Sequence, residues 1–466
     1  MVQKTKLPRS EITPEYIERI RALRREKRER EKAERADVAR EIFIKRPLLE
    51  VPYVGGVPCR DGYVRVKIMT YNTLAQTLIR RTTFPDAKDA IKWHRRSQVL
   101  IQELEYYDAD VVCLQETDRI QWDKFWVEEF DRLGYKGGFF NFPGKVHGVA
   151  IVWKTSMFED TPLDKLPLCL DDYVAGDDIA ATTGTRTVAL AVALRLKHHK
   201  TSRPIIFSTT HLFWHLFGTF ERTRQLFVIL SELNKFIKKV TDAHCPRGQR
   251  CYTFFTGDFN SQPCDAPYLS LTDKPVQLKG RAKSIIECSL SYRYSKRRNS
   301  ILEDDEDSMV REPSDQESVE DETNRPQDPR PYTYDAMPEQ VERVQHLQNL
   351  HNCIPLQGVS LYGIGYHLVH PENSNKYSTS VNQEPQLSHR ALHWSGLLDY
   401  IFLITEWSEN ATKISDLQAL ERQTGIKING YLRMPLKEEM CDHTEPHENE
   451  YPSDHLAMMC DISLPL

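Results

Sequence analysis

Six short segments of the chain end an apolar run with a polar side chain that could take part in chemistry. They are Tyr71-Asn72, Gln115-Glu116, Thr210-His211, Gly257-Asp258-Phe259-Asn260, Leu398-Asp399 and Ser453-Asp454-His455. Core packing does not account for the repetition, because an apolar strand that ends in Asn, Glu, His or Asp presents a polar group at a sheet edge. Together these side chains offer oxygen ligands for Mg²⁺, a carboxylate that can activate water and an imidazole that can polarise a phosphoryl oxygen. Hydrolysis of a phosphate ester requires these groups.

The elements that must position these groups alternate densely along the chain. Apolar runs predict strands over residues 64–70, 110–114, 149–153, 188–196, 205–210, 252–256, 398–404 and 456–463. Apolar residues spaced three and four apart predict helices over 87–107, 122–133 and 219–239. Several strands follow one another with no helix between them, which excludes a purely parallel doubly wound sheet. The pattern favours mixed sheets with helices outside them.

Composition limits the compartment and the class of protein. The chain has 466 residues, 40% of them hydrophobic, so a large core is expected. No run approaches about 18 apolar residues, which predicts that no segment spans a membrane. The first 30 residues lack the apolar core of a secretory signal. The ten cysteines show no spacing typical of a zinc site, which favours a reducing, intracellular compartment.

Two highly charged stretches flank or interrupt this pattern. Residues 19–35 hold nine basic and four acidic side chains, so residues 1–61 are expected to form a basic helical arm. The arm is either a solvated helix stabilised by i,i+4 ion pairs or a segment that contacts RNA or directs localisation. Residues 303–322 hold eleven acidic side chains and one basic one, which predicts a disordered insertion at about 303–330. Catalytic candidates lie on both sides of that insertion, so residues 62–466 are interpreted as one domain.

The order of the motifs MTYNTLA, VCLQE, TTHL, TGDFN, LLDYIF and YPSDHLAM resembles that of the exonuclease–endonuclease–phosphatase superfamily. The MTYNTLA form, the HLFWHLFG segment that starts at His211, and Ser360-Leu361-Tyr362 are similar to the deadenylase and nocturnin branch. Within that branch the chain most resembles the yeast Ngl-type RNA exonucleases. The resemblance implies an α/β (α+β) fold, a four-layer αββα sandwich with two packed mixed β-sheets and the site at one end of them.

The same resemblance implies a metal site. Asn72 and Glu116 would be direct ligands of Mg²⁺, for which Mn²⁺ would be an acceptable substitute. An amide and a carboxylate suit a hard cation that keeps most of its waters. Asp454 would be the ligand for a second metal ion or for an alternative metal position.

It also implies catalytic roles for the remaining polar residues. Asp258 would orient or deprotonate the attacking water, and Asn260 would hold the phosphate or the nucleophile. His455 would polarise the scissile phosphate, with Asp399 fixing its tautomer and favouring the imidazolium form. His211 would hydrogen-bond a non-bridging phosphate oxygen.

Two aromatic residues after His211 allow two interpretations. Phe213 and Trp214 could stack on a base of the substrate, at about 1–3 kcal/mol per base. They could equally pack against the helix predicted over 219–239.

The expected function is that of a Mg²⁺-dependent RNA 3′→5′ exonuclease that releases 5′-mononucleotides. Its partners would be single-stranded RNA 3′ ends, either of poly(A) or of structured precursors such as ribosomal RNA. The expected location is the cytoplasm or the nucleus, including the nucleolus. The alternatives are a phosphatase or an abasic-site endonuclease on the same scaffold, and a catalytically silent RNA-binding protein.

Overall fold

The computed structural model describes residues 43–52, 62–171, 180–199, 202–294, 328–376, 383–391, 394–440 and 445–466. The charged stretches 19–35 and 303–322 lie outside these residues, so the basic helical arm and the disordered insertion stay predictions. Among the helices of the described ranges, none is long and apolar enough to cross a membrane.

The described strands are β1 (Leu48–Glu50), β2 (Tyr63–Asn72), β3 (Val111–Asp118), β4 (Tyr135–Phe140), β5 (His147–Lys154), β6 (Asp164–Cys169), β7 (Val188–Leu194), β8 (Ile205–His211), β9 (Tyr252–Asp258), β10 (Leu356–Ser360), β11 (Asn375–Lys376), β12 (Gln383–Glu384), β13 (His389–Ala391), β14 (Trp394–Gly396), β15 (Asp399–Glu406), β16 (Lys427–Leu432) and β17 (Met458–Pro465). The described α-helices are α1 (Trp93–Tyr107), α2 (Arg119–Gln121), α3 (Val127–Arg132), α4 (Thr219–His244), α5 (Ala266–Thr272), α6 (Gly280–Ser289), α7 (Pro338–Cys353) and α8 (Leu417–Thr424). A π-helical turn (Trp122–Trp126) joins α2 to α3, and 3₁₀ turns occupy Tyr366–Leu368, Pro371–Asn373 and Lys437–Glu439.

Two mixed sheets form the centre of the fold. One has the strand order β1-β16-β17-β2-β3-β5-β4, and the other has the order β10-β15-β9-β8-β7-β6. In each sheet one central pair is parallel, β2 with β3 and β8 with β9, while the other pairs are antiparallel. This arrangement confirms the fold class expected from the sequence, an α/β sandwich of two packed mixed sheets.

The alternation of side chains along the first sheet explains its place between two layers. One set of its residues packs against the other sheet, namely Val66, Ile68, Val111, Cys113, Val149, Ile151 and Trp153. The alternate set packs under α1 and α3, namely Met69, Tyr71, Val112, Leu114, Ala150 and Val152. Successive side chains of a strand point to opposite faces, so a strand that is apolar at every position must be covered on both sides.

Helix α4 covers the outer face of the second sheet. Its buried side chains recur three and four residues apart, at Leu226, Leu230, Leu233, Ile237 and Val240. They belong to the same apolar cluster as the strands of that sheet. Because this spacing places the five residues on one side of a helix, burial of that stripe holds α4 on the sheet.

Two helices differ from the sequence expectation. The helix predicted over 87–107 begins at Trp93, and residues before it form a series of turns. The helix predicted over 122–133 is a π-helical turn followed by α3. Apolar spacing locates both segments but does not distinguish a turn from the first turn of a helix.

Residues 43–52, which the sequence analysis placed in the arm, lie on the first sheet. Strand β1 pairs antiparallel with β16. The guanidinium of Arg46 donates to the Ala457 carbonyl at 2.8 Å, and Phe43 packs edge-on against Tyr107. The packed domain therefore includes a strand that precedes residue 62.

Residues 328–330, at the end of the predicted insertion, also belong to the packed domain. Both terminal nitrogens of Arg330 donate to the carboxylate of Asp265, at 2.8 and 2.6 Å. Asp265 is fully buried, and its Oδ2 also accepts the Gln262 amide at 2.8 Å. The ion pair therefore anchors the chain to the loop that follows Asn260.

Arg330→Ala is expected to lower the free energy of unfolding by about 3 kcal/mol, because it leaves the buried Asp265 carboxylate without its counter-charge. Deletion of residues 303–327, the acidic part of the predicted insertion, is the control and should change stability by no more than about 0.5 kcal/mol. Urea titration of both variants measures the difference. An Arg330→Ala midpoint equal to that of the unaltered chain would contradict the assignment.

Candidate active site

Five strands bring the candidate side chains to one edge of the two sheets. Asn72, His211 and Asp258 are the last residues of β2, β8 and β9, and Asp399 is the first residue of β15. The register places Asp258 beside both His211 and Asp399. Since β15 runs antiparallel to β9, its first residue lies at the same edge as the last residue of β9.

Glu116 reaches this edge through a bulge in β3. The pairing of β3 with β5 shifts between Leu114 and Thr117, and Glu116 has a left-handed backbone with φ of 52°. Such strained positions concentrate at functional sites, where neighbouring contacts hold them in place. Here Oε2 of Glu116 accepts the Ala75 amide at 2.9 Å, while Oε1 accepts from Asn72 at 3.0 Å.

Gln115, next to Glu116, ties the two sheets together under the site. Its fully buried amide donates to the Thr209 hydroxyl on β8 at 2.8 Å and to the Cys113 carbonyl at 3.1 Å. Because β8 carries His211, this contact fixes the end of β3 relative to His211.

Asn72 joins the two carboxylates that face it. Its Nδ2 donates to Glu116 Oε1 and to Asp258 Oδ2, both at 3.0 Å. All three side chains are buried. The two carboxylates are hard oxygen donors that suit a divalent cation such as Mg²⁺. The Asn72 amide nitrogen faces them, while its Oδ1 accepts the Leu74 amide at 3.0 Å.

The Gly257-Asp258-Phe259-Asn260 turn orients Asp258 and Asn260. Gly257 has φ of 142°, and a Cβ there would collide with the Thr210 carbonyl. Phe259 is fully buried, and the backbone amide of Asn260 donates to Asp258 Oδ1 at 2.8 Å. Asn260 itself has a left-handed φ of 47°, and its side-chain amide donates to the Leu212 carbonyl at 2.9 Å. The turn therefore holds both side chains over the ends of β8 and β9.

His455 and Asp399 form a buried pair. Nδ1 of His455 lies 2.8 Å from Oδ2 of Asp399, which also accepts the Ser388 hydroxyl at 2.7 Å. The other ring nitrogen, Nε2, lies 3.4 Å from Asp258 Oδ2. With Asp399 on Nδ1, Nε2 is the nitrogen that faces the oxygen-donor cluster.

The charges in this cluster favour an ionised Asp258 and a protonated His455. Burial opposes both charged forms, but the carboxylates of Asp399 and Asp258 raise the pKa of His455 well above its usual value. Burial likewise tends to raise the pKa of Asp258, yet His455, His211 and two hydrogen bonds bring it below the ordinary value. Burial raises the pKa of Asp399, and its contact with His455 opposes that rise.

His211 closes the other side of the cluster. Its Nε2 lies 3.5 Å from Asp258 Oδ2 and 3.9 Å from Glu116 Oε1. The exposed fraction of its side chain is 12%, against 6% for His455. A substrate oxygen could therefore approach His211 from solvent.

Asp454 groups with a histidine that the sequence analysis did not single out. The ligand atoms of His389, Asp454 and His455 lie within 4.8 Å of one another, and His389 Nε2 is 3.5 Å from Asp454 Oδ2. Burial tends to raise the pKa of Asp454, but the hydrogen bond from His389 and nearby positive charges lower it overall. No sequence signal marks His389, because its approach depends on the β13–β14 hairpin.

Arg96 positions the loops that carry Asn72 and Asp454. Its guanidinium donates to the Leu74 carbonyl at 2.8 Å, to the Pro452 carbonyl at 2.6 Å and to the Thr73 carbonyl. Burial lowers the pKa of Arg96 to about 10, so the side chain stays charged at neutral pH. The sequence contained a signal for it, since Arg96 lies one turn before Leu100 on the apolar side of a predicted helix.

The structure separates the two aromatic candidates. Phe213 has 3% of its surface exposed, and its ring lies among His215, Trp214 and Tyr294. That packing leaves little of the ring to stack on a base. Trp214 is half-buried and retains an accessible surface.

Comparisons with known proteins agree with this geometry. Residues 69–344 match the Endonuclease/Exonuclease/phosphatase family. The chain is 40% identical to RNA exonuclease NGL2 of Saccharomyces cerevisiae, over 98% of this chain and 90% of that protein. It is also 40% identical to probable RNA exonuclease NGL3 of the same yeast, over 98% of this chain and 91% of that protein.

A solved structure supports the fold independently. The crystal structure of ANGEL2, a 2′,3′-cyclic phosphatase, aligns with a TM-score of 0.56 at 20% identity, covering 91% of this chain and 99% of that one. The family match and the two yeast relatives indicate the same family, and the solved structure has the same fold. The chain therefore belongs to the endonuclease/exonuclease/phosphatase family, on the branch of the yeast RNA exonucleases, and is a hydrolase of phosphodiester bonds.

Proposed function

We propose that the chain is a Mg²⁺-dependent RNA 3′→5′ exonuclease that releases 5′-mononucleotides. The observation that carries the proposal is the convergence of the Asp399–His455 pair with Asp258, Asn72 and Glu116 at one sheet edge. The two full-length yeast relatives, named RNA exonuclease and probable RNA exonuclease, support RNA as the substrate.

Glu116 and Asn72 are the residues that would hold the metal ion, with Asp454 as ligand at a second or alternative position. A bound Mg²⁺, or Mn²⁺ in its place, would supply positive charge that stabilises the phosphoryl oxygens during in-line attack by water. The donor chemistry supports Glu116, since carboxylate oxygens suit hard cations. To bind the ion, the Asn72 carboxamide would turn its Oδ1 away from the Leu74 amide.

Asp258 is proposed to orient the attacking water. Its carboxylate is held by Asn72 and by the Asn260 backbone amide, and the charges around it keep its pKa low. A carboxylate with a low pKa is a weak base, so its main contribution is to position the water rather than to remove its proton early. The Asn260 side chain lies beside it and is proposed to hold the phosphate or the water.

His455 and His211 are proposed to act on the phosphate. The imidazolium of His455 would donate through Nε2 to a phosphoryl oxygen, while Asp399 keeps Nδ1 protonated and the ring oriented. His211, on the more exposed side, would donate to a non-bridging oxygen. Hydrogen bonds that strengthen as charge develops on those oxygens lower the barrier rather than only tightening binding.

Poly(A) tails and ribosomal RNA precursors are the proposed physiological substrates, and their single-stranded 3′ ends the proposed partners. The cytoplasm or the nucleus, including the nucleolus, is the proposed location. Trp214, which is half-buried and follows His211 by three residues in the chain, is the remaining candidate for stacking on a base.

A comparison of substrates tests the function. The substrates are 5′-labelled poly(A), mixed-sequence RNA, single-stranded DNA, a duplex with one abasic site and RNA ending in a 2′,3′-cyclic phosphate, each with Mg²⁺ and with EDTA. We expect Mg²⁺-dependent shortening of RNA from the 3′ end, with nucleoside 5′-monophosphates as products.

The other outcomes favour the alternatives. Cleavage confined to the abasic duplex would indicate an endonuclease. Loss of the terminal phosphate without shortening of the strand would indicate a phosphatase. Binding of RNA with no reaction under any metal condition would indicate a silent RNA-binding protein.

A further inference from the structure

The loop between β2 and α1, which begins directly after Asn72, exposes a group of cations. From residue 73 to residue 92 there are four basic side chains and two acidic ones, although the whole chain has a net charge of −5. Arg80, Arg81 and Lys88 are exposed. A cluster of this kind alone is typical of a solvated surface, but two features of the fold distinguish this one.

The first feature is that the loop has its own apolar core. Leu74, Phe84, Ala87 and Ile91 form a buried cluster separate from the two main clusters. Successive turns connect these residues, with backbone hydrogen bonds such as Ala90 to Ala87 at 2.8 Å. The cations are therefore carried on an ordered platform, and less conformational entropy is lost when they bind a ligand.

The second feature is that both ends of the loop are bonded at the metal-ligand edge. The amide of Leu74 donates to Asn72 Oδ1 at 3.0 Å, and the amide of Ala75 donates to Glu116 Oε2 at 2.9 Å. The side-chain amide of Gln76 then donates to the Ile91 carbonyl at 3.0 Å, which returns the far end of the loop to the same edge. The platform therefore has a fixed position relative to Asn72 and Glu116.

The cations outnumber the acids that could neutralise them. The carboxylate of Asp89 lies 2.8 Å from Lys92 Nζ. This contact, followed by the charges of Arg81 and Arg95, lowers the pKa of Asp89. The four basic side chains of the loop therefore outnumber its two carboxylates, Asp86 and Asp89.

We propose that Arg80, Arg81 and Lys88 bind the backbone phosphates of the RNA strand upstream of the nucleotide that is being removed. This inference rests on the proposed function, because it takes RNA as the substrate. The 5′ continuation of the strand has to leave the site, and each of its phosphates carries one negative charge. The loop contributes charge rather than a stacking surface, since its Phe84 is buried. Binding through phosphates does not depend on base sequence.

The triple variant Arg80→Gln, Arg81→Gln, Lys88→Gln tests the proposal. For a 12-nucleotide RNA at low salt, KM should rise about tenfold with kcat nearly unchanged. Three phosphate contacts on a single strand also predict that the slope of log KM against log salt falls by about 2. Cleavage of a dinucleotide should not change, because a dinucleotide does not reach the platform.

The control variant is Lys235→Gln, Lys238→Gln, Lys239→Gln, which removes the same charge from the C-terminal half of α4. These lysines are exposed. Equal KM increases in the control and in the loop variant would overturn the proposal, since net charge alone would then explain the effect. A loss on the dinucleotide as large as that on the 12-mer would also overturn it, because the loop would then act by positioning Asn72 and Glu116.

A binding measurement separates this proposal from the proposed function. If the unaltered chain cleaves no RNA, the proposed function fails, and fluorescence anisotropy of a labelled 12-nucleotide RNA in EDTA still measures the surface. Weaker binding by the loop variant than by the control would support the platform. Equal binding by the two variants would overturn it.

Discussion

Glu116→Ala is expected to lower the rate of RNA cleavage about a thousandfold at ordinary Mg²⁺ concentration. Glu116 is the carboxylate at the bulge of β3 that faces Asn72, and its removal takes away the charged ligand of the proposed metal site. Loss of about 4 kcal/mol of transition-state stabilisation corresponds to this factor. The fold should persist, because the side chain lies at a sheet edge and leaves the apolar clusters intact.

Steady-state cleavage across a series of Mg²⁺ concentrations measures this effect. Partial recovery at high Mg²⁺ is expected, since the Asp258 carboxylate still offers an oxygen donor. Glu128→Ala, an exposed glutamate on α3, is the matched control and should cleave RNA normally. Near-normal activity of Glu116→Ala at ordinary Mg²⁺ would rule out the metal assignment.

Asp399→Asn is expected to lower kcat by about 10²–10⁴-fold with little change in KM. The carboxylate is the partner of His455 Nδ1 at 2.8 Å, and an amide there no longer stabilises the imidazolium. The interaction gains strength only as charge develops on the phosphoryl oxygens, so the loss appears in kcat.

Variants around this pair test whether it acts as a unit. His455→Ala should be about as slow as Asp399→Asn, and the double variant should be no slower than His455→Ala alone. Ser388→Ala removes the second hydrogen bond to Asp399 Oδ2 and the acceptor of the Leu398 and Asp399 amides, and it should cost at most about tenfold because the His455 contact remains. A double variant in which the two losses multiply in full would show that the residues act independently.

Much of the fold can be predicted from the local pattern of apolar and polar residues. Strands β2, β3, β5, β7, β8, β9, β15 and β17 all overlap segments that apolar runs predicted. Polar residues at the ends of β2, β3, β8, β9 and β15 mark the site, because a buried strand tolerates such a residue only where the strand reaches solvent or a ligand. The same logic failed for residues 43–52, in which the short strand β1 forms through pairing with β16.

The sequence by itself determined which residue types stand at the strand ends, and with them the chemistry available to this protein. Tertiary structure alone decided which of those ends meet. It formed the Asp399–His455 contact that the resemblance implied, and it brought His389 against Asp454, inserted Arg96 between two loops and buried Phe213. Each of these contacts joins parts of the chain far apart in sequence or depends on the register of neighbouring strands. Apolar residues that recur every two positions in a strand, or every 3.6 positions in a helix, show which side of the element is covered. They do not show which other element covers it.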